Sequence, residues 1–334
     1  MPETNRTVRL KSRPVGMVTR ANFDIADETV PEPADGQFRV RISHISLDPA
    51  MRGWLNDAKS YVPPVAIGDV MRGFALGTVE ASRNAYFRDG DTVTGLLGVQ
   101  RLAVSDGTGV IKVDVSKAPP QRWIGGLGMP GMTAYFGLHE VAVPKSGETV
   151  VVSAASGAVG SIVGQIAKIM GCRAVGIAGG AEKCAYVTGE LGFDACVDYK
   201  GGNLRGDLKA ACPDGIDVLF ENVGGEIHDT CLSLMNFRGR VAICGLISAY
   251  NSTTPVPGPF SYRSILVNRL NVRGFIVFDF IRQYAQAAEA LGTWHAEGRL
   301  KMREDVREGG IDAYPDVLNL LYTGGNFGKL VLKV

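Results

Sequence analysis

A glycine-containing turn is the segment of this sequence best suited to chemistry. It reads Ala155-Ser156-Gly157-Ala158-Val159-Gly160, in which Ala155 stands where a dinucleotide fingerprint usually has its first glycine. Gly157 lets backbone approach a pyrophosphate closely, and Gly160 lets the following helix pack against the preceding strand. The phosphates would lie on the free N–H groups at the helix N-terminus. The turn predicts a dinucleotide site, with a purely structural turn as the alternative.

The residues on either side of the turn favour the dinucleotide site. Val150–Val152 read as a buried strand before the turn, and 174–178 read as a second one after it. Between them, apolar residues recur at helical spacing: Ile162, Val163, Ile166, Ala167 and Ile169. Strand, turn, helix and strand within about 30 residues make a βαβ unit that holds a dinucleotide.

The tip of the second strand indicates which dinucleotide binds. NAD-specific folds usually place Asp or Glu there, on the ribose hydroxyls. Here the strand runs into Gly179-Gly180-Ala181, and Glu182 comes slightly late. Lys183 is a candidate cation for a 2′-phosphate, although it could be only a solvated residue in the first turn of the next helix. The pattern favours NADP.

Composition narrows the range of partners. Lys and Arg number 35 against 34 Asp and Glu, so no nucleic-acid or membrane-surface partner is expected. No apolar stretch approaches the roughly 18 residues of a membrane span, and no N-terminal secretory pattern is present. We therefore expect a cytoplasmic protein.

Cysteine and histidine spacing predicts that no metal is bound. The six cysteines all follow residue 171 and form no C-x-x-C pair, and most are expected to be buried thiols. The histidines lie at no metal-ligand spacing from one another: His44, His139, His228 and His295.

Two sequence patterns divide the chain into regions on either side of residue 127. Residues 1–127 contain short alternating runs broken by Gly, Pro, Asn and Asp, which predict a β-rich domain. Residues 128–300 alternate strands with helices, which predicts an α/β domain with a Rossmann-type doubly wound parallel sheet. Its last strand is predicted at 272–278, followed by a helix over 281–297. Residues 301–334 are predicted to return to the first domain through a strand over 326–334.

Seven strings resemble the zinc-free medium-chain dehydrogenase/reductases, in the branch of alkenal, 15-oxoprostaglandin and curcumin reductases. They run from one end of the chain to the other: DPAMRG (48–53), GMPGMTAYFGL (128–138), AASGAVGSIVGQIAK (154–168), ENVGG (221–225), CGLISAYN (244–251), GFIVFD (274–279) and GNFGKLVLKV (325–334). The resemblance implies that the first domain is GroES-like. It also implies NADPH-dependent reduction of the C=C bond of α,β-unsaturated aldehydes and ketones, without zinc.

The resemblance implies a set of NADP contacts. Lys183 and Tyr199 match the family's groups for the 2′-phosphate. The other matching residues are Gly157, Ala158, Val159 and Gly160 of the turn, Asn222, Cys244, Gly245, Ile247 and Tyr250, Phe275, Ile276 and Val277 beside the nicotinamide, and Asn326.

Hydride addition to an enone leaves negative charge on the carbonyl oxygen, so the site needs a hydrogen-bond donor and exclusion of water. The candidate catalytic residues are Tyr250, which follows the CGLIS turn, and Tyr61, which resembles a substrate-loop tyrosine of the family's bacterial and plant members. Part of the family has a tyrosine where this chain has Val267, which removes one proposed acid. Three further residues are predicted to border the substrate pocket: Met51, Arg52 and Tyr262. Arg52 could instead form a domain-interface salt bridge, and Tyr262 could serve packing alone.

Two other functions remain open at this point. A quinone oxidoreductase on the same scaffold would share the cofactor contacts, and an NADPH-binding protein could lack physiological turnover. The resemblance also implies a homodimer in which 271–278 extends the sheet across a two-fold axis, the alternative being a buried central strand.

Overall fold

Residues 4–334 are described in the computed structural model, which divides the chain into two units. The first unit comprises residues up to Gly125 together with Glu304–Val334, and the second comprises Gly126–Arg303. Residues 1–3 of the predicted first domain lie outside the described part.

The first unit is built on a mainly antiparallel sheet, in which the last two strands of the chain pair in parallel. Its strands are β1 (Thr4–Leu10), β2 (Phe23–Thr29), β3 (Phe38–Ser46), β4 (Ala75–Ser82), β5 (Thr92–Gly95), β6 (Leu102–Ser105), β7 (Ile111–Lys112), β14 (Glu304–Arg307) and β15 (Lys329–Lys333). Its helices are α1 (Ala50–Gly53), α2 (Pro120–Trp123) and α10 (Tyr314–Thr323). The main sheet has the order β14-β15-β3-β4-β5-β7, with β6 paired to β3, and β1 and β2 form a separate pair.

Alternation along β3 explains how this sheet forms a core. Phe38, Val40 and Ile42 are buried on one face, whereas Arg41 between them is exposed. β15 pairs antiparallel with β3, with Val331 opposite Ser46. The last residues of the chain therefore complete a sheet that the first hundred residues begin.

The second unit is a six-stranded parallel sheet with helices. Its strands are β8 (Thr149–Ser153), β9 (Arg173–Ala178), β10 (Ala195–Asp198), β11 (Ile216–Glu221), β12 (Met235–Ile243) and β13 (Asn271–Gly274). Its helices are α3 (Met129–Phe136), α4 (Gly160–Ile169), α5 (Ala181–Gly189), α6 (Leu204–Ala211), α7 (Gly225–Ser233), α8 (Arg263–Val267) and α9 (Tyr284–Ala296).

The strand order, β10-β9-β8-β11-β12-β13, reverses direction between β8 and β11. That is the order of a Rossmann sheet, whose ligands bind beyond the carboxyl ends of the two strands at the reversal. The predicted fold class, a doubly wound parallel sheet with a separate β-rich GroES-like domain, is confirmed. Among residues 4–334, no helix has both the length and the apolar character needed to cross a bilayer.

Two stretches differ from the sequence-based elements. The strand predicted over 272–278 ends at Gly274, and Val277–Gln283 forms a 3₁₀ helix instead. The reason is local, because the Asp279 carboxylate accepts the N–H of Ile276 (3.4 Å) and turns the chain. β13 is also an edge strand rather than a central one, since β12 is its sole neighbour in the described sheet. Five helices were not predicted: α1, α2, α6, α8 and α10.

Candidate functional site

The site is centred on the carboxyl ends of β8 and β11, which are tied together by three hydrogen bonds. The Ser153 hydroxyl donates to Glu221 Oε1 (2.7 Å) and accepts the N–H of Asn222 (2.7 Å). The Asn222 side-chain amide donates to the Ser153 carbonyl (2.8 Å). The strand ends at the reversal of the sheet are thereby held in fixed register.

The glycine turn leaves β8 through a left-handed residue, Ala154 (φ 51°). Its carbonyl accepts the N–H of Gly157 (2.9 Å), and a Cβ on Gly160 would overlap that same carbonyl. Gly160 is therefore required for helix α4 to begin so close to the strand. No side chain caps α4 at Val159, and the N–H groups of Ser161 and Ile162 donate instead to the carbonyls of Gly157 (3.1 Å) and Val159 (3.0 Å).

Replacement of the usual first glycine by Ala155 is accommodated on the neighbouring strand. A Cβ built on Gly176 of β9 would lie 2.8 Å from the Ala155 methyl group. The missing side chain at Gly176 thus leaves the space that Ala155 fills. The turn keeps its path with a different distribution of glycines.

Two predicted 2′-phosphate groups, Lys183 and Tyr199, lie near the ends of β9 and β10. Lys183 is half-buried in the first turn of α5, and Tyr199 directly follows β10. A Cβ on Gly179 would lie 2.8 Å from Tyr199 Cε1, so the absence of a side chain there makes room for the ring. Lys200, which sequence reasoning missed, has its ammonium 5.9 Å from the centroid of that ring.

An acidic side chain, Asp198, does lie in this region, but its carboxylate is hydrogen-bonded to backbone N–H groups. The Asp198 carboxylate accepts the N–H groups of Gly180 (2.8 Å) and Lys200 (2.9 Å). These backbone bonds, first that of Gly180, hold the pKa of Asp198 below its ordinary value. Its role is to fix the Gly179–Gly180 turn, which has φ 96° at Gly180.

Glu221 is a fully buried carboxylate beneath the Asn222 turn, and sequence reasoning missed it although ENVGG begins with it. It accepts bonds from the Val223 and Gly224 N–H groups and faces His228 Nδ1 at 3.2 Å. Burial alone would raise its pKa, but the bonds from His228, Ser153 and the two backbone N–H groups outweigh burial and lower the pKa.

The predicted segment 244–250 packs back on the end of β11. The N–H groups of Cys244 and Gly245 donate to the Glu221 carbonyl, and that of Ile247 donates to the Asn222 carbonyl (3.2 Å). The Tyr250 hydroxyl oxygen accepts the N–H of Leu246 (3.2 Å). Burial and then the Glu221 charge raise the pKa of Cys244 to about 12, so this thiol is not a nucleophile at neutral pH.

The predicted nicotinamide-side residues follow β13. Phe275 and Val277 are buried and Ile276 is half-buried. The Phe275 ring meets Phe220 edge-on, with 6.0 Å between centroids. Both rings fill the space over Gly137, where a Cβ would lie 2.5 Å from Phe220 and 2.6 Å from Phe275. Gly137 begins a π-helical turn, Gly137–Ala142, of the kind often found at functional sites.

The remaining predicted residues differ in their surroundings. In the first unit, Met51 and Arg52 are buried, and the Arg52 guanidinium donates to Gly16 O (2.9 Å) and Asn56 Oδ1 (2.6 Å). Tyr61 is half exposed, and the Asn326 amide donates to Gly328 O (2.9 Å). In the second unit, Tyr262 is 69% exposed. The described residues contain no group of three or more His, Cys, Asp or Glu side chains arranged to hold a metal.

At the carboxyl ends of its strands, the second unit therefore carries a glycine turn, a helix N-terminus without a side-chain cap, Lys183 and Tyr199. The hydrogen-bonded ends of β8 and β11 lie at the same end of the sheet. These residues fit a dinucleotide with a 2′-phosphate. Fold and site define a class, the two-domain nicotinamide-dependent oxidoreductases.

Comparison with known proteins narrows the class. Two family models match the chain, one described as the N-terminal domain of oxidoreductase over residues 6–113, the other as zinc-binding dehydrogenase over residues 158–293. The chain is 41% identical to the NADPH-dependent curcumin reductase of Escherichia coli, over 99% of this chain and 97% of that protein. It is 39% identical to prostaglandin reductase 1 of Rattus norvegicus, over 98% of each.

A comparison with solved structures leads to the same group of proteins. The crystal structure of CurA from Vibrio vulnificus in complex with NADPH superposes with a TM-score of 0.93 at 43% identity, covering 98% of this chain and 99% of that one. The chain belongs to the medium-chain dehydrogenase/reductase family, in the branch of the curcumin and prostaglandin reductases. The family resemblance inferred from the seven strings is confirmed.

Proposed function

We propose that this protein uses NADPH to reduce the C=C bond of α,β-unsaturated aldehydes and ketones. The observation that carries the proposal is the end-to-end similarity to reductases of this kind, which extends over both units. The groups gathered around Gly179 support the choice of NADPH over NADH. The tip of β9 runs into Gly179 and Gly180 rather than an exposed carboxylate, and Lys183 and Tyr199 follow the ends of β9 and β10.

The chain's own residues have four tasks in this proposal. The turn at Gly157–Gly160 holds the pyrophosphate, and Lys183 and Tyr199 hold the 2′-phosphate. Asn222 and the segment 244–250 fix the ribose end, while the buried side chains of Phe275 and Val277 exclude water from the nicotinamide. When bound, NADPH supplies the hydride that the substrate's β-carbon accepts.

The substrate's carbonyl oxygen gains negative charge and needs a donor. We propose Tyr250 and Tyr61 for contact with substrate, each to be tested separately. The N–H of Leu246 on the Tyr250 hydroxyl oxygen stabilises charge on that oxygen, which makes the hydroxyl a better donor. The Tyr61 hydroxyl accepts a comparable N–H, that of Trp54.

The deciding experiment follows NADPH consumption with an alkenal, a cyclic enone, a 15-oxoprostaglandin, curcumin and a quinone, with NADH in parallel. We expect consumption of NADPH with enones or enals, and a product two hydrogens heavier by mass spectrometry. Turnover of the quinone alone would replace the proposal with quinone reduction. NADPH binding without turnover of any acceptor would indicate a binding role.

We also propose a homodimer. β13 lies at the edge of the sheet, and three of its residues, Asn271, Arg273 and Gly274, are exposed. An edge strand offers unpaired backbone groups to a second copy of the chain. Light scattering on the purified protein should give a mass of twice 35.6 kDa. A mass of 35.6 kDa at micromolar concentration would contradict the dimer.

We propose the cytoplasm as the place of action. All six cysteines are free thiols, as expected in a reducing compartment. Cell fractionation followed by immunoblotting should find the protein with cytoplasmic markers, and recovery with the membrane or secreted fraction would overturn the assignment.

A further inference from the structure

The segment that carries Tyr61 is exposed, yet both of its ends are clamped. Side chains from Asn56 to Tyr61 are all exposed. At the base of the segment, the N–H of Val65 donates to the Trp54 carbonyl (2.9 Å). The Arg13 guanidinium bridges the two ends through the carbonyls of Leu55 (2.9 Å) and Val65 (2.8 Å). These hydrogen bonds restrict the movement of the segment at its base, although its side chains are exposed.

A further contact reaches Tyr61 itself. The Trp54 side chain is only 3% exposed, and its indole N–H donates to the Tyr61 hydroxyl oxygen at 3.4 Å. A buried indole N–H needs an acceptor, since leaving it unpaired is costly.

Arg72 supports this contact from the other side. Its guanidinium carbon lies 5.5 Å from the centroid of the Trp54 ring, within cation–π range. Arg72 also donates to the Pro63 carbonyl (2.9 Å), two residues beyond Tyr61. One arginine therefore holds both the tryptophan and the segment that the tryptophan orients.

We propose that Trp54 is a positioning residue that sets the location of the Tyr61 hydroxyl for contact with the substrate carbonyl, with Arg72 fixing Trp54 in turn. This inference rests on the proposed function, in which Tyr61 contacts substrate. A donor on the phenol oxygen restricts where that oxygen lies, so the tyrosine is preorganised although half of its surface is exposed.

The contact is tested without turnover by two-dimensional NMR of protein labelled with ¹⁵N-tryptophan. The chain has three tryptophans, so three indole N–H signals are expected. Trp54→Phe identifies its own signal by loss. Tyr61→Phe should then move that signal and leave those of Trp123 and Trp294 in place. An unmoved Trp54 signal would overturn the inference.

Its consequence is tested by a double-mutant cycle on kcat/KM. Trp54→Phe should lower kcat/KM about 2- to 10-fold, the range of one neutral hydrogen bond. The same change in a Tyr61→Phe background should have little further effect, because the hydroxyl that Trp54 orients is gone. Equal losses in both backgrounds would show a merely structural tryptophan and overturn the proposal.

Trp123→Phe is the matched control, since it removes another indole bond in the same unit, to the Ala118 carbonyl (3.1 Å). It should leave kcat/KM unchanged. If Trp54→Phe does not fold, Arg72→Gln replaces it in the cycle, and the same non-additivity with Tyr61→Phe is required. If wild-type protein turns over no enone, the proposed function fails, and the NMR experiment still decides the Trp54–Tyr61 contact.

Discussion

At the scale of single residues, we assign the preference for NADPH over NADH to the ammonium group of Lys183. Lys183→Ala should raise the KM for NADPH roughly 10- to 150-fold, the range of one hydrogen bond to a charged group. The KM for NADH should not change, because NADH lacks the 2′-phosphate. The control is Lys209→Ala, which removes an exposed lysine from α6. Equal losses with the two cofactors would contradict the role of Lys183.

Glu221 carries a residue-scale prediction about acid stability. Its folded pKa is lowered from 4.5, so its contribution to stability is complete above about pH 4.5 and is lost as the pH falls through the folded value. Glu221→Gln removes this contribution. Urea unfolding between about pH 3 and about pH 6 should then show a smaller loss of stability in acid than in wild type. Glu226→Gln, an exposed neighbour in α7, should retain the wild-type slope.

At the scale of elements, the π-helical turn after α3 is shaped by two aromatic rings. Gly137→Ala would place a methyl group 2.5 Å from Phe220 and 2.6 Å from Phe275. Overpacking of this kind costs about 1–3 kcal/mol. Because Phe275 is proposed to flank the nicotinamide, NADPH binding followed by fluorescence should weaken as well.

The matched change is Gly189→Ala in α5, where a Cβ meets nothing within 4 Å. Because Gly189 is the last residue of α5, the alanine should leave both the stability and NADPH binding close to those of wild type. If Gly137→Ala lowers the melting temperature without weakening NADPH binding, Phe275 is not coupled to the cofactor.

The elements also show which parts of the fold can be predicted from the sequence. The βαβ unit around Gly157 is encoded locally, by apolar strands, helical spacing and a glycine turn, and its prediction holds in detail. The strand predicted past Gly274 was wrong, because two bonds between Ile276 and Asp279, one backbone (3.0 Å) and one to the carboxylate (3.4 Å), close a 3₁₀ turn in a run of β-formers. Helix α10 had local signals that were overlooked, Pro315 in its first turn and Gly324 (φ 70°) after its end.

The candidate site is harder to predict, because its supporting groups are defined by tertiary contacts. Ser153 and Glu221 are 68 residues apart, and no sequence pattern predicts the hydrogen bond between them. The pairing of Gly176 with Ala155 likewise depends on two adjacent strands. The cofactor and substrate roles of the named side chains remain predictions that the variants above test.

At the scale of the whole chain, the first unit is closed by a buried ion pair between its two distant segments. The Lys329 ammonium donates to Asp48 Oδ1 (2.7 Å) and to the Leu47 carbonyl (2.7 Å), and the two charged residues are 281 positions apart in the sequence. Both charged side chains are nearly inaccessible to solvent. The pair anchors β15 beside the start of α1, where the DPAMRG string begins.

Lys329→Met should therefore destabilise the protein by about 3–5 kcal/mol, since it leaves the Asp48 charge buried and unpaired. Adding Asp48→Asn removes that charge and should recover a large part of the loss. Urea unfolding of the two variants and of wild type measures both effects. The matched control is Lys333→Met, since Lys333 is half exposed and pairs with exposed Glu308. A surface pair of this kind is worth about 0–1 kcal/mol. Equal losses for Lys329→Met and Lys333→Met would contradict closure of the unit by the Asp48 pair.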